Sequence, residues 1–198
     1  MQRVIIQLLP AILWPLLVVG CAGAPPRSEV RQVFEEPTGS NITYVRKPGA
    51  FVSAQPGLAS SGRDYVYVAP IVINRGGERS CWLWFGVWST VDRQARNEDA
   101  TPLRLGPFQI VADDEPMDME PKSAESHPTG IRRTVYETPV PPTQELLVPV
   151  TRSQLQKLGS ARVLTLIDRP ADGAARLWRG DERVVVVLRQ VAEEVGIK

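Results

Sequence analysis

Two long β-forming runs joined by a glycine pair constrain this chain more than any other feature. Between Asp64 and Asp92, Tyr65-Val66-Tyr67-Val68-Ala69-Pro70-Ile71-Val72-Ile73 is β-branched and aromatic, Asn74-Arg75-Gly76-Gly77-Glu78 follows, and Cys81 to Val91 is a second such run. Glycine tolerates the positive φ that a tight reversal needs, so the pattern predicts an antiparallel hairpin. Pro70 has no N–H to donate, which predicts that the first strand lies near a sheet edge or carries a bulge.

Further strands are predicted from Ile42 to Val45, and from Leu103 to Ala112 with a turn at Asp113-Asp114-Glu115 into Met117-Asp118-Met119. Others are predicted for Arg133–Thr138, Glu145–Val150, Arg162–Ile167 and Arg183–Val191. The last contains Val184-Val185-Val186-Val187, a run typical of a strand buried on both faces. Lys122 to Gly130 reads as a polar loop and Asp168 to Gly173 as a turn-rich connection.

One helix is predicted. Thr151-Arg152-Ser153-Gln154 fits a capping box, with Val150 and Leu155 placed as a hydrophobic staple and Gly159 as the stop. Eighteen prolines disfavour long helices, and no strand–helix alternation suggests a parallel sheet. The expectation is a mostly β fold, a β-sandwich of roughly eight short strands with one short helix at about 151–159.

The chain's beginning is of another kind. Arg3 is followed by an apolar stretch from Val4 to Val19, interrupted by Gln7 and carrying Pro10 and Pro15. That is short of the roughly 20 residues a membrane span needs, and it matches a secretory signal. Leu17-Val18-Val19-Gly20-Cys21 resembles the bacterial lipobox, which defines the lipoproteins. The resemblance implies cleavage before Cys21, a diacylglycerol thioether on its sulfur and usually a further acyl chain, such as palmitate, on the new amine. Two or more chains anchor a protein stably. Ala22 and Gly23 follow instead of the aspartate common in lipoproteins held at the inner membrane, which implies the outer membrane. The expected organisation is a signal peptide at 1–20, a lipidated and proline-bearing tether at 21–40, and one domain at 41–198. As a coil, the tether spans about 25 Å.

Charge and reactive groups narrow the function. The chain has 23 Lys+Arg and 22 Asp+Glu, and loss of Arg3 with the signal balances them. A balanced chain has no surplus for a phosphate backbone, so nucleic acid is not an expected partner. With Cys21 lipidated, Cys81 is left without a disulfide partner in its own chain and is expected buried within its strand. The sole histidine, His127, is expected in a solvated loop, and one His with one Cys does not assemble the usual four-ligand zinc site. Asp113, Asp114, Glu115, Asp118 and Glu120 bring carboxylates together but read as turn and solvated-face residues, not as a glycosidase pair or an EF-hand loop. No nucleophile elbow, phosphate loop or dinucleotide fingerprint appears. No cofactor is expected beyond the covalent lipid.

The most informative stretch is Cys81-Trp82-Leu83-Trp84-Phe85-Gly86-Val87-Trp88. Alternation puts Trp82, Trp84 and Trp88 on one face of the strand and Cys81, Leu83, Phe85 and Val87 on the other. Either the strand is central and covered on both faces, or the tryptophans form a surface for a partner. The functional expectation is a non-enzymatic lipoprotein at the periplasmic face of the outer membrane, binding another envelope protein as an accessory or assembly factor. The competing expectations are a hydrolase of envelope glycans or lipids, and an inhibitor or binder of a wall-active enzyme.

Overall fold

The structure is a computed structural model that describes residues 29–54, 63–90, 103–131, 136, 138–170 and 173–196. The signal segment and Cys21 lie outside the described residues, as does most of the expected strand at 133–138. The described chain is mostly β. Eleven strands form one antiparallel sheet that curls on itself, with two helices.

In chain order the elements are β1 (Val30–Glu35), β2 (Ser40–Val45), β3 (Gly49–Ala54), β4 (Arg63–Arg75), β5 (Glu78–Ser89), β6 (Phe108–Ala112), β7 (Glu115–Met119), β8 (Lys122–Ser123), β9 (Gln144–Val150), α1 (Arg152–Ser160), β10 (Leu164–Asp168), β11 (Arg176–Gly180) and α2 (Glu182–Glu194). The sheet runs β7-β6-β10-β11-β3-β4-β5-β9-β8, and β2 pairs with β4 and β1.

The expected hairpin is β4 and β5, in register from Asp64 opposite Ser89 to Arg75 opposite Glu78. Gly76 and Gly77 hold φ of 59° and 93° at its turn. The hairpin is central, which corrects the edge placement expected from Pro70. On the side away from β5, β4 changes partner: Gly49 of β3 faces Val68, and Tyr44 of β2 faces Ile71. Pro70 falls in the seam between those partners, where no ladder bond is asked of its missing N–H.

Two other expectations are corrected. The tether was expected to reach residue 40, but β1 pairs with β2 from Val30 opposite Val45 to Glu35 opposite Ser40, so the sheet already includes residue 30. The four-valine segment is a helix, not a doubly buried strand. Asp181 caps it, its carboxylate accepting from Val184 N at 3.0 Å. Val184, Val187, Leu188, Val191 and Ala192 form one buried stripe, while Val186 is 44 % exposed. Burying such a side chain is worth ~1.5–3 kcal/mol, whereas a valine costs a helix no more than ~0.7 kcal/mol. The stripe therefore decides the conformation.

α2 lies close on the sheet because Gly49 lets it: a Cβ there would sit 2.6 Å from Val184 Cα. The capping box of α1 is present, Thr151 accepting from Gln154 N and Gln154 from Thr151 N. Gly159, expected as the stop, is instead a buried contact. A Cβ on it would meet Arg189 Cα at 3.0 Å, so it sets the approach of α1 to α2.

Partners across an antiparallel ladder share a face, which sorts the whole sheet. The inner face carries Phe51, Val66, Val68, Leu83, Phe85, Leu146 and Val148, and continues through Ile110, Leu164, Leu166 and Trp178. Phe85 of β5 meets Phe108 of β6 edge-on at 5.0 Å, although β4, β3, β11 and β10 stand between those strands. That contact requires the curl. The buried Asp168 is satisfied within this core by Arg176, whose Nε donates at 2.9 Å.

Candidate functional site

The outer face of β4 and β5 is where the expected tryptophan face can be inspected. Trp82, Trp84 and Trp88 do share it, with Tyr65, Tyr67 and Ile71 beside them on β4. They differ in exposure. Trp84 is buried at 5 %, while Trp82 and Trp88 are half-buried. Trp88 stacks on Tyr65 at 4.3 Å with the rings 8° from parallel. Trp82 donates to Ser80 Oγ at 3.2 Å and has Lys122 Nζ 5.8 Å from its ring centroid.

Trp84 is covered by the segment before β9. Tyr136 packs on it at 4.7 Å between centroids and meets Tyr44 edge-on at 6.0 Å. The Tyr136 hydroxyl donates to Pro70 O at 2.9 Å, and burial pushes its pKa well above the ordinary phenol range. Gly86 makes room for the indole, since a Cβ there would fall 2.6 Å from the Trp84 ring and 3.2 Å from Pro142. The indole N–H donates to Glu145 Oε2 at 2.9 Å. Glu145 faces outward beside Gly86, so it shares the aromatic face.

Beside these residues lies a cleft of about 300 Å³, at the small end of ligand sites. Trp84, Tyr136, Ile71, Ile131 and Leu147 give it an apolar wall, and Glu125, His127 and Glu145 carry its ionisable groups. Gln144 and Thr143 also line it but are committed to the fold. The Gln144 amide bonds both Leu105 N and Leu105 O, and Thr143 Oγ1 donates to Val87 O. His127 is exposed, in the left-handed region at φ 46°.

The other candidates sit elsewhere. Asp113 and Asp114 form the β6–β7 turn at φ 45° and 74°. The Asp113 carboxylate accepts from the backbone N–H groups of Arg162 and Val163 at 2.9–3.0 Å, which hold its pKa below the usual range. Glu115 pairs with Lys157, and Asp118 accepts from Gln109 at 2.7 Å. Cys81 is buried on the inner face, and burial raises its thiol pKa despite Arg152 and Arg79. Among the described residues, no three His, Cys, Asp or Glu side chains group to hold a metal, and no helix is long and apolar enough to cross a membrane.

Sequence reasoning singled out Trp84 and His127 but missed Glu145 and Tyr136. Glu145 was legible in principle as the outward-facing acidic residue of a strand with buried Leu146 and Leu147. Tyr136 lies beside residues 132–135, in a stretch with no pattern tying it to Trp84, 52 positions away in sequence. A comparison of the chain with protein-family models, curated proteins and solved structures finds no match.

Proposed function

We propose that this chain is a lipid-anchored protein of the bacterial outer membrane whose β domain, at the periplasmic face, binds another envelope protein without chemistry of its own. The lipobox-like Leu17–Cys21 segment supports the address. The observation that carries the binding role is the outer aromatic face. Trp82, Trp88 and Tyr65 remain half-buried on the same sheet face as Trp84, which with Tyr136 walls the cleft. Partly exposed aromatic residues beside a preformed concavity are the usual anchors of protein interfaces.

The test is capture from detergent-solubilised membranes with the lipidated protein, comparing native chain with Trp82→Ser and Trp88→Ser. Recovery of one envelope protein by the native chain, lost from both variants while their melting temperatures hold, is the expected result. Equal recovery by all three removes the aromatic face as the interface. The anchor is tested separately. Cys21→Ser is expected to abolish lipid labelling and leave precursor, because the thiol is the acylated group. A mature-sized product extractable without detergent overturns the address.

A second reading rests on a specific observation: Glu125, His127 and Glu145 line one cleft, and such groups serve general acid–base chemistry. A hydrolase of envelope glycans or lipids predicts that His127→Ala kills function in a folded protein. The binding reading predicts that a folded His127→Ala protein still captures its partner.

A further inference from the structure

The cleft has a chemical character of its own. Its described lining contains two carboxylates, Glu125 and Glu145, and no lysine or arginine. Neither carboxylate is neutralised within the described residues. Glu125 makes no ion pair, and Glu145 spends one oxygen on the neutral Trp84 indole. Among the described residues, the nearby Lys122 lies over Trp82 and Arg75 donates to Ser40 Oγ at 3.0 Å. The rest of the wall is mainly aromatic and aliphatic, with Trp84, Tyr136, Ile71 and Leu147, and carries the exposed His127 and the neutral polar Thr129.

This combination is selective. An anion or a phosphate is repelled by the two carboxylates. A wholly apolar group leaves both without compensation. A long basic side chain matches each part: its methylenes lie on the apolar wall and its charged end meets the carboxylates. A volume of about 300 Å³ suits one such side chain with its flanking backbone better than a sugar chain. The Trp84–Glu145 hydrogen bond fixes the carboxylate before anything binds, so little ordering is required on docking.

We infer that this cleft receives an arginine side chain of a partner polypeptide, with Glu145 as its main anchor and Glu125 as a weaker one. Arginine is favoured over lysine because its planar guanidinium pairs with a carboxylate in two bonds and is the more weakly hydrated cation. The inference rests on the binding reading and specifies its partner.

The experiment uses the full lipidated chain in detergent micelles and a short peptide whose only charge is a central arginine, against the same peptide with citrulline, which keeps the shape and loses the charge. The readout is the indole N–H resonance of Trp84, assigned by its loss in Trp84→Phe. The arginine peptide is expected to shift that resonance saturably, and citrulline to weaken binding about tenfold or more. Glu145→Gln keeps an acceptor for the indole but loses the charge, so its melting temperature should hold while peptide affinity falls by a similar factor. Glu125→Gln should cost less, and the native affinity should fall with added salt. Equal binding of citrulline, or unchanged binding by folded Glu145→Gln, overturns the inference. Failure here with successful membrane capture removes only the arginine pocket. Failure of both removes the binding reading too.

Discussion

The sheet has two halves that follow different burial rules. In β6 and β10 every second residue is buried and its neighbours are not, and in β11 Trp178 alone is buried: Phe108, Ile110 and Ala112 alternate with the partly exposed Gln109 and Val111, and Leu164, Leu166 and Asp168 with Thr165 and Ile167. In β4 and β5 the middle of each strand is buried on both faces, from Val66 to Ile73 and from Leu83 to Val87. The inner face is continuous across both halves; α2 packs on it at β3 and β4, and α1 packs on α2. The difference is the outer face, which is covered around Trp84 by Tyr136 and Pro142 and open over β6, β10 and β11. The sheet's candidate site forms where that outer cover is incomplete. A single-faced sheet offers solvent a polar surface, whereas a two-faced one must end its apolar cover somewhere, and the rim of that cover is where aromatic and ionisable side chains meet water.

The largest expected effect tests whether the halves share one core. Phe85 is fully buried and touches Phe108 across the curl. Phe85→Ala should cost ~3–5 kcal/mol in urea denaturation of the full chain. A loss below about 1 kcal/mol means that the two halves do not depend on each other through this contact.

The next pair sharpens the contrast directly. Ile71 and Ile167 both point to the outer face, but Ile71 is 4 % exposed and Ile167 is only partly buried. Ile71→Ala is expected to cost ~2–5 kcal/mol, and Ile167→Ala about 1 kcal/mol. Equal costs break the two-rule description of the sheet.

A pH experiment probes the open half at its turn. Asp113 has a folded pKa below its ordinary 3.8, because the amides of Arg162 and Val163 donate to the charged form. Its contribution is therefore complete above that value and is lost as pH falls through the lower folded pKa. Asp113→Asn tolerates the same left-handed backbone and does not titrate, so the variant should lose stability less steeply than the native chain below about pH 4. Parallel acid profiles assign the slope to other carboxylates.

Much of this architecture is legible in the residues, and the failures have a common cause. The β4–β5 hairpin, its turn, the β6–β7 turn at Asp113-Asp114 and the capping box at Thr151 are local signals, each written within a few residues. The strand β11 is not legible because Arg176-Leu177-Trp178-Arg179-Gly180 has no β-branched residue and one apolar side chain facing each way. Trp178 nonetheless fills the core, fully buried. The partner switch at Pro70 depends on where β2 ends and β3 begins, and the cleft depends on Tyr136 lying over Trp84. Both are long-range facts that no local pattern contains. The two-faced alternative that fits the middle of β5 does not carry over to Val184–Val187, because an uninterrupted apolar run hides its period.

That ambiguity supplies the smallest and most discriminating prediction. A strand buried on both faces has no tolerant position within it, so a charge anywhere in Val184–Val187 would unfold the domain. A helix distributes the same four valines around its axis. Val184 and Val187 face Gly49 and the core, Val185 is partly covered, and Val186 points outward. Val186→Glu places a charge on the solvent side and exchanges a β-branched residue for a better helix former, worth a few tenths of a kcal/mol. The melting temperature should therefore hold or rise slightly, with stability changed by less than ~0.5 kcal/mol. Val187→Glu, one residue along, buries the carboxylate against the sheet and should prevent folding. If Val186→Glu and Val187→Glu are equally damaging, the segment is packed on both sides, and the placement of α2 over β3 and β4 fails with it.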